Sequence, residues 1–183
     1  WPLEEPRKLL LPHQNRFRKL RRAAAIATLR SPLGPVRVYG VHLESPVGAS
    51  NGVRRDQARV VLADAQGFSG PVIVAGDFNG RAGPQVLATA GFSWATEAVK
   101  NTAGPFDFDH VLARGLCPAG TDAVAAAEDE TDASDHDPVW AVLVPCTSAA
   151  RLTSKRIPVP SGYRGASSMT FVAARPSRLA RAA

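Results

Sequence analysis

The sequence predicts a layered α/β or α+β domain, and three observations predict it. Short β-branched apolar runs, P-V-I-V-A at 71–75 and V-W-A-V-L-V at 139–144, read as buried strands. An intervening stretch, 54–68, carries Ala58, Val60, Val61, Leu62 and Ala65 at helical spacing. Gly, Pro, Asn and Asp gather at the joints between such segments. Strands and helices that take turns along a chain bury their apolar faces as sheet-and-helix layers.

Residues 1–20 hold three prolines and mixed charge and read as an extended lead-in. The alanines of 21–30 suit a helix, while Ile26-Ala27-Thr28-Leu29 suits a strand. The turn S-P-L-G at 31–34 and the alternating run P-V-R-V-Y-G-V-H-L-E at 35–44 favour the strand, so the two segments form a hairpin. A Ser/Gly/Pro/Asn loop at 45–52 precedes the helix 54–68, which Gly67 ends. The strand 71–75 comes next, then a short helix at 84–90 that opens on Pro84. Residues 92–100 read as irregular with Trp94 buried, and 108–113 as a strand. Residues 121–127 suit a strand or a helix equally, 128–134 form an acidic loop, and 139–144 is a fully buried strand. After Pro145 the chain turns to Ser, Ala, Arg and Pro without periodicity. The division expected is therefore a domain over 1–146 and a basic, loosely ordered extension over 147–183.

Composition narrows the function classes. A 45% hydrophobic and 21% charged chain is globular rather than disordered. No apolar run reaches the length of a membrane span, so no transmembrane segment is expected. The net charge of +6 and pI near 10.0 favour anionic partners, although the excess of Lys and Arg lies at the two ends. Cys117 and Cys146 match no metal-ligand spacing; reduced thiols and a single disulfide are both open. The compartment stays unassigned. Reduced thiols lean to the cytoplasm, and secretion remains open because the chain begins at Trp1 rather than Met.

The chemistry gathers where apolar strands begin or end. G-D-F-N-G at 76–80 closes the strand 71–75 and sends Asp77 and Asn79 out in one direction, since i and i+2 side chains share a face. A carboxylate and a carboxamide there suit a hard cation, an activated water or a phosphate oxygen, although the same residues also make ordinary turns. His42 lies inside the hairpin strand, next to the loop at Ser45, Asp109-His110 opens the strand 108–113, and S-D-H-D-P at 134–138 precedes the strand 139–144. Each has an ordinary structural reading as a buried histidine, a strand cap or a turn. Together, at the ends of neighbouring strands, they converge on one crevice and hold what metal-assisted phosphoryl transfer needs.

The order of these motifs carries a resemblance. V-Y-G-V-H-L-E (38–44), R-R-D-Q (54–57), V-I-V-A-G-D-F-N (72–79), F-D-H-V-L (108–112) and S-D-H-D-P-V (134–139) resemble the endonuclease/exonuclease/phosphatase superfamily over 1–144. The resemblance implies a DNase I-like layered β-sandwich flanked by helices, here lacking its N-terminal strands. It implies a metal-dependent hydrolase of phosphodiesters or phosphomonoesters, with nucleic acid, lipid or small phosphates as substrates and no protein partner. It assigns the catalytic set His42, Asp77, Asn79, Asp109 and His136. Asp77 activates water, Asn79 and His42 contact the phosphate, and His136 acts as base or phosphate ligand with Asp109 on its other ring nitrogen. It assigns Asp135 to a Mg²⁺ or Mn²⁺ ion and leaves His110, Glu44 and Asp137 without a role. Family members also begin with a strand bearing an Asn and, soon after, a metal-binding Glu; neither precedes His42 here. The expectation is an impaired enzyme, either a fragment or a diverged copy. The competing reading is a catalytically inactive module that holds nucleic acid or anionic lipid by charge.

Overall fold

The structure is a computed structural model that describes residues 1–15, 17, 19–126, 134–146 and 169–173, the last five by their backbone. Among the described residues, ten strands form two sheets. The first contains β1 (Leu3–Leu10), β2 (Ala23–Ser31), β3 (Gly34–His42), β4 (Val72–Asp77), β5 (Ser93–Trp94) and β6 (Asp109–Arg114), in the order β1-β2-β3-β4-β6-β5. The second is built on β9 (Val139–Pro145), which pairs with β10 (Met169–Ala173), β7 (Leu116–Pro118) and β8 (Val124–Ala126). Two helices, α1 (Asn51–Gln66) and α2 (Ala82–Thr89), complete the described elements, apart from one short 3₁₀ turn at Thr121–Ala123.

Side-chain alternation divides the first sheet between two cores. Tyr39, Val41, Val72, Val74 and Leu112 face the helices and pack with Ala58, Val61, Ala65 and Leu87. Val36, Ile73, Val111 and Ala113 face the other way, onto Leu116, Ala141 and Leu143 of the second sheet. A central strand covered on both faces needs apolar residues at every position, which is why 72–74 reads V-I-V.

The expected hairpin is β2–β3, paired antiparallel from Ser31↔Gly34 to Ala25↔Gly40. The crossover from β3 to the parallel β4 runs through α1. That helix begins three residues before the expected 54 because the Ser50 hydroxyl accepts a hydrogen bond from the Val53 N–H as its N-cap. α2 likewise starts at Ala82, placing Pro84 third.

Two expectations are corrected, those for 92–100 and 139–144, and two are filled in. The lead-in 1–20 contains a strand at the sheet edge, where Pro6 is tolerated at an irregularity between Glu4 and Arg7. Trp94 is half-buried and belongs to the two-residue strand β5, so 92–100 is not wholly irregular. β9 is not buried on both faces: Val139, Ala141 and Leu143 are covered while Trp140, Val142 and Val144 are partly exposed. The backbone of Met169–Ala173, within the expected extension, adds a strand beside β9. The rest of 147–183, like most of the acidic loop 128–134, lies outside the described residues. Cys117 and Cys146 are joined, with Cα atoms 5.1 Å apart, tying β7 to the end of β9. Disulfides persist in oxidising compartments, so the leaning to the cytoplasm loses its basis.

Two local devices hold the first sheet. The fully buried Tyr39 donates its hydroxyl to Asp64 Oδ1 of α1 at 2.6 Å, and Arg7 of β1 donates to the same oxygen at 2.7 Å. Gly76, at φ +137°, lies so close to β3 that a Cβ would sit 2.1 Å from the Val41 carbonyl oxygen.

Both generate expectations. Asp64→Ala strands the Tyr39 hydroxyl and should cost about 1–3 kcal/mol, whereas Asp64→Asn keeps an acceptor and costs less. Burial pushes the Asp64 carboxyl up, but hydrogen bonds from Arg7 and Tyr39 outweigh it and hold the group below its ordinary value. The contribution of Asp64 is therefore full above the unfolded value of about 3.9 and is lost as pH falls through the lower folded value. Urea titrations of wild type and Asp64→Asn from pH 7 to pH 2 should converge at the acid end. Gly76→Ala should cost at least roughly 1–3 kcal/mol and more than Gly80→Ala, where φ is +126° but nothing lies within 4 Å of the added Cβ. Equal unfolding midpoints for the two variants would contradict this.

Candidate active site

Register builds the site. Across the parallel pair β3–β4, His42 lies opposite Asp77; across the antiparallel pair β4–β6, Asp77 lies opposite Asp109. Residues in register on neighbouring strands share a face. By alternation from Val36, Ile73 and Val111, that face is the one turned to the second sheet. Three strands thus present His42, Asp77 and Asp109 as a row at one end of the inter-sheet layer. His42 Nε2 lies 3.4 Å from Asp77 Oδ2.

The fourth member comes from the opposite sheet. His136, in the turn leading into β9, places Nδ1 2.7 Å from Asp109 Oδ2, with its side chain only 8% exposed. The Ser134 hydroxyl accepts from the His136 N–H at 3.1 Å, and the Asp137 N–H donates to the Thr102 carbonyl at 2.9 Å, which anchors that turn. The fully buried Thr102 also holds Asp109. Its hydroxyl donates to Asp109 Oδ2 and accepts from the backbone N–H groups of Phe108 and Asp109, each at 3.0 Å. An imidazole that gives its Nδ1 proton to a fixed carboxylate presents Nε2 as the reactive nitrogen.

Asn79 sits in the turn after β4 with φ +52°. Its N–H donates to Asp77 Oδ1 at 2.8 Å, and its side-chain amide donates to the Leu43 carbonyl at 3.0 Å. The amide thus bolts the β4 turn to the end of β3. Around that end, the buried Gln57 accepts from the Glu44 N–H at 2.9 Å and donates to the Pro12 carbonyl at 3.1 Å. Arg54 reaches the Glu44 carbonyl at 3.3 Å. The Arg-x-x-Gln at 54–57 is therefore a clamp on the chain leaving His42.

The charges are costly as they stand. Burial pushes the Asp77 carboxyl up; His42 lowers it, the neighbouring Asp109 charge raises it, and the Asn79 N–H and His136 lower it, leaving a net rise. A buried carboxylate with a raised pKa is a stronger base than an exposed one. Asp77, Asp109 and His136 each offer a ligand atom, all within 4.8 Å of one another, and among the described residues they are the group that could hold a metal ion. Two adjacent buried carboxylates fit a hard cation by charge. The fit is incomplete, because Asp109 and His136 already spend one atom each on their mutual hydrogen bond.

Of the residues the sequence singled out, His42, Asp77, Asn79, Asp109 and His136 come together here. Asp135, expected to hold the ion, is exposed and is not part of that three-residue group. His110 points to the helix side, where Trp94 Nε1 donates to its Nδ1 at 3.3 Å and its Nε2 meets the Asp107 carbonyl at 3.1 Å. Burial brings its pKa down to about 4, so it stays neutral and structural. Thr102 escaped the sequence reading, because N-T-A-G-P carries no signal beyond a loop.

The sequence profile of the Endonuclease/Exonuclease/phosphatase family matches residues 7–136. No curated protein matches the chain. Among solved structures, it is similar to an endonuclease/exonuclease/phosphatase from Beutenbergia cavernae, at 22% identity and TM-score 0.58 over 74% of this chain and 43% of that one. It is also similar to a mannosyl-6-phosphatase from Bacteroides thetaiotaomicron, at 17% identity and TM-score 0.56 over 78% and 67%. A sphingomyelinase C from Streptomyces griseocarneus matches at 21% identity and TM-score 0.53 over 76% and 64%. The chain thus spans less than half of the first relative's length and about two thirds of the other two. At these identities the likeness is one of fold, the α+β arrangement of DNase I-like proteins. With the profile covering most of the sequence, the chain belongs to the endonuclease/exonuclease/phosphatase family.

Proposed function

We propose that this site hydrolyses a phosphoester with the help of a divalent cation, Mg²⁺ or Mn²⁺. The observation that carries the reading is the row His42–Asp77–Asp109 in cross-strand register, met by His136 from the second sheet. Asp77 orients the attacking water and takes its proton. The water oxygen bonds to phosphorus as the ester P–O bond breaks. His136, held by Asp109, and His42 face the developing charge, and one of them returns a proton to the leaving oxygen. The Asn79 amide, with one hydrogen committed to Leu43, turns its second to a phosphate oxygen. The cation, held by Asp77 and Asp109 with Asp135 as a further carboxylate, would neutralise phosphate charge.

So few carboxylates make a weak cation site, because affinity follows ligand charge and number. The reading is therefore an impaired enzyme that works slowly and at high cation concentration. The alternative, an inactive anion-binding module, is disfavoured by the same geometry. Two buried carboxylates at the centre repel a phosphate unless a cation intervenes.

The test is hydrolysis of bis(p-nitrophenyl) phosphate and of a phosphomonoester across Mg²⁺ and Mn²⁺ titrations. Activity should rise through the millimolar range and vanish with EDTA. Asp77→Asn and His136→Gln should each lower kcat/KM by about 10²–10⁴, while Asp56→Asn, an exposed carboxylate on α1, leaves it unchanged. Anion binding that is indifferent to cation and survives Asp77→Ala and His136→Ala would establish the binding module instead.

A further inference from the structure

Beyond the reacting centre, a row of rings leads from His136 to the surface. Phe108, half-buried, lies with its ring centroid 6.1 Å from that of His136, at 41°. Phe106 stacks on Phe108 at 5.0 Å, with 7° between the planes, and is itself 54% exposed. Two features hold this exposed ring in place. Its backbone exchanges hydrogen bonds with Ala103, at 3.1 and 3.2 Å, and its inner face is covered by Phe108. A large apolar side chain fixed in water beside a catalytic centre is already ordered, so a flat partner placed on it forfeits little further entropy.

We propose that Phe106 is a stacking platform for a nucleobase, and that the phosphoester this site takes is a nucleotide or single-stranded nucleic acid. The proposal rests on the phosphoesterase reading and names its substrate class. A near-parallel ring pair offers one flat face, which matches a planar heteroaromatic ring, whereas an acyl chain is better held by a groove. The nearby charges do not compete for the role. Lys100 Nζ meets Asp107 at 2.8 Å, and Arg81 lies 3.6 Å from both Asp107 and Glu97, so these cations are already matched. Recognition at this rim falls to the ring, and the net charge of +6 suits a polyanion.

The experiment measures binding with little turnover, using the full 183-residue chain with Ca²⁺ in place of Mg²⁺ or Mn²⁺, so that the buried carboxylates are neutralised. Fluorescence anisotropy compares labelled oligothymidylate with a base-free deoxyribose-phosphate oligomer of equal length. Stacking of one base implies that Phe106→Ala weakens oligothymidylate binding by roughly 5- to 150-fold. Binding of the base-free oligomer should not change, Phe106→Trp should restore affinity, and Phe106→Leu should behave like Phe106→Ala. Equal loss for both oligomers, or full affinity in Phe106→Leu, overturns the platform. So does a Phe106→Ala defect confined to phosphatidylserine vesicles, which would make the occupant a lipid surface. Hydrolysis of bis(p-nitrophenyl) phosphate by the wild type, assayed separately with Mn²⁺, reports on the phosphoesterase reading alone. Its absence alongside Phe106-dependent binding would sink that reading and leave the platform standing.

Discussion

The alignment of β3, β4 and β6 residue for residue is the constraint on which the site depends. His42, Asp77 and Asp109 form a row only because each lies opposite the next. A slip of one position in β4 would turn Asp77 toward the helices and bring its neighbour into the row. His110 shows the effect of one position: adjacent to Asp109, it faces the helix side and serves packing against Trp94 and Phe78. Apolar residues on both faces of the central strand would tolerate a slip, so the register is set by its polar end, where a slip would turn Asp77 into the apolar layer against the helices. At the functional end, Gly76 lets β4 approach β3 to a distance no side chain permits.

That alignment is locally unfavourable. Like charges directly opposite on neighbouring strands destabilise a sheet, and Asp77 and Asp109 are such a pair, both buried. The surroundings offset part of the cost. Thr102 and His136 serve Asp109, and the Asn79 N–H and His42 serve Asp77. A fold under selection for stability alone would place apolar residues at both positions. Local rules that break while their neighbours are built to compensate mark a place kept for chemistry.

This division also explains what was legible beforehand. β2, β3, α1, β4 and β6 could be read because turn residues and alternation bound them, and because the polar clusters fall at their ends. The short strands β7 and β8 have too few residues to show a period, and β10 pairs only through a partner distant in sequence. The apolar run of β9 is the same whether one face is covered or two; only the second sheet's position decides. The five catalytic candidates were visible as motifs, whereas Thr102 was not. Its value comes from lying beside Asp109 in space, in a loop whose residue types are ordinary.

The site is also a junction between sheets, and this bears on specificity. His42, Asp77 and Asp109 belong to the first sheet and are fixed by its ladder, while His136 arrives on a turn of the second, secured by Ser134 and by the bond from Asp137 to Thr102. The loop 101–108 therefore has two duties. Through Thr102 it positions the acid–imidazole pair, and through Phe106 and Phe108 it forms the rim next to it. Substrate preference in such a fold is decided by loops on a constant frame. Here one loop links the two functions, so a change that reshapes the rim also moves the hydroxyl on which Asp109 relies. On the proposed reading, the rim and the acid–imidazole pair are therefore coupled through one segment, the loop between β5 and β6.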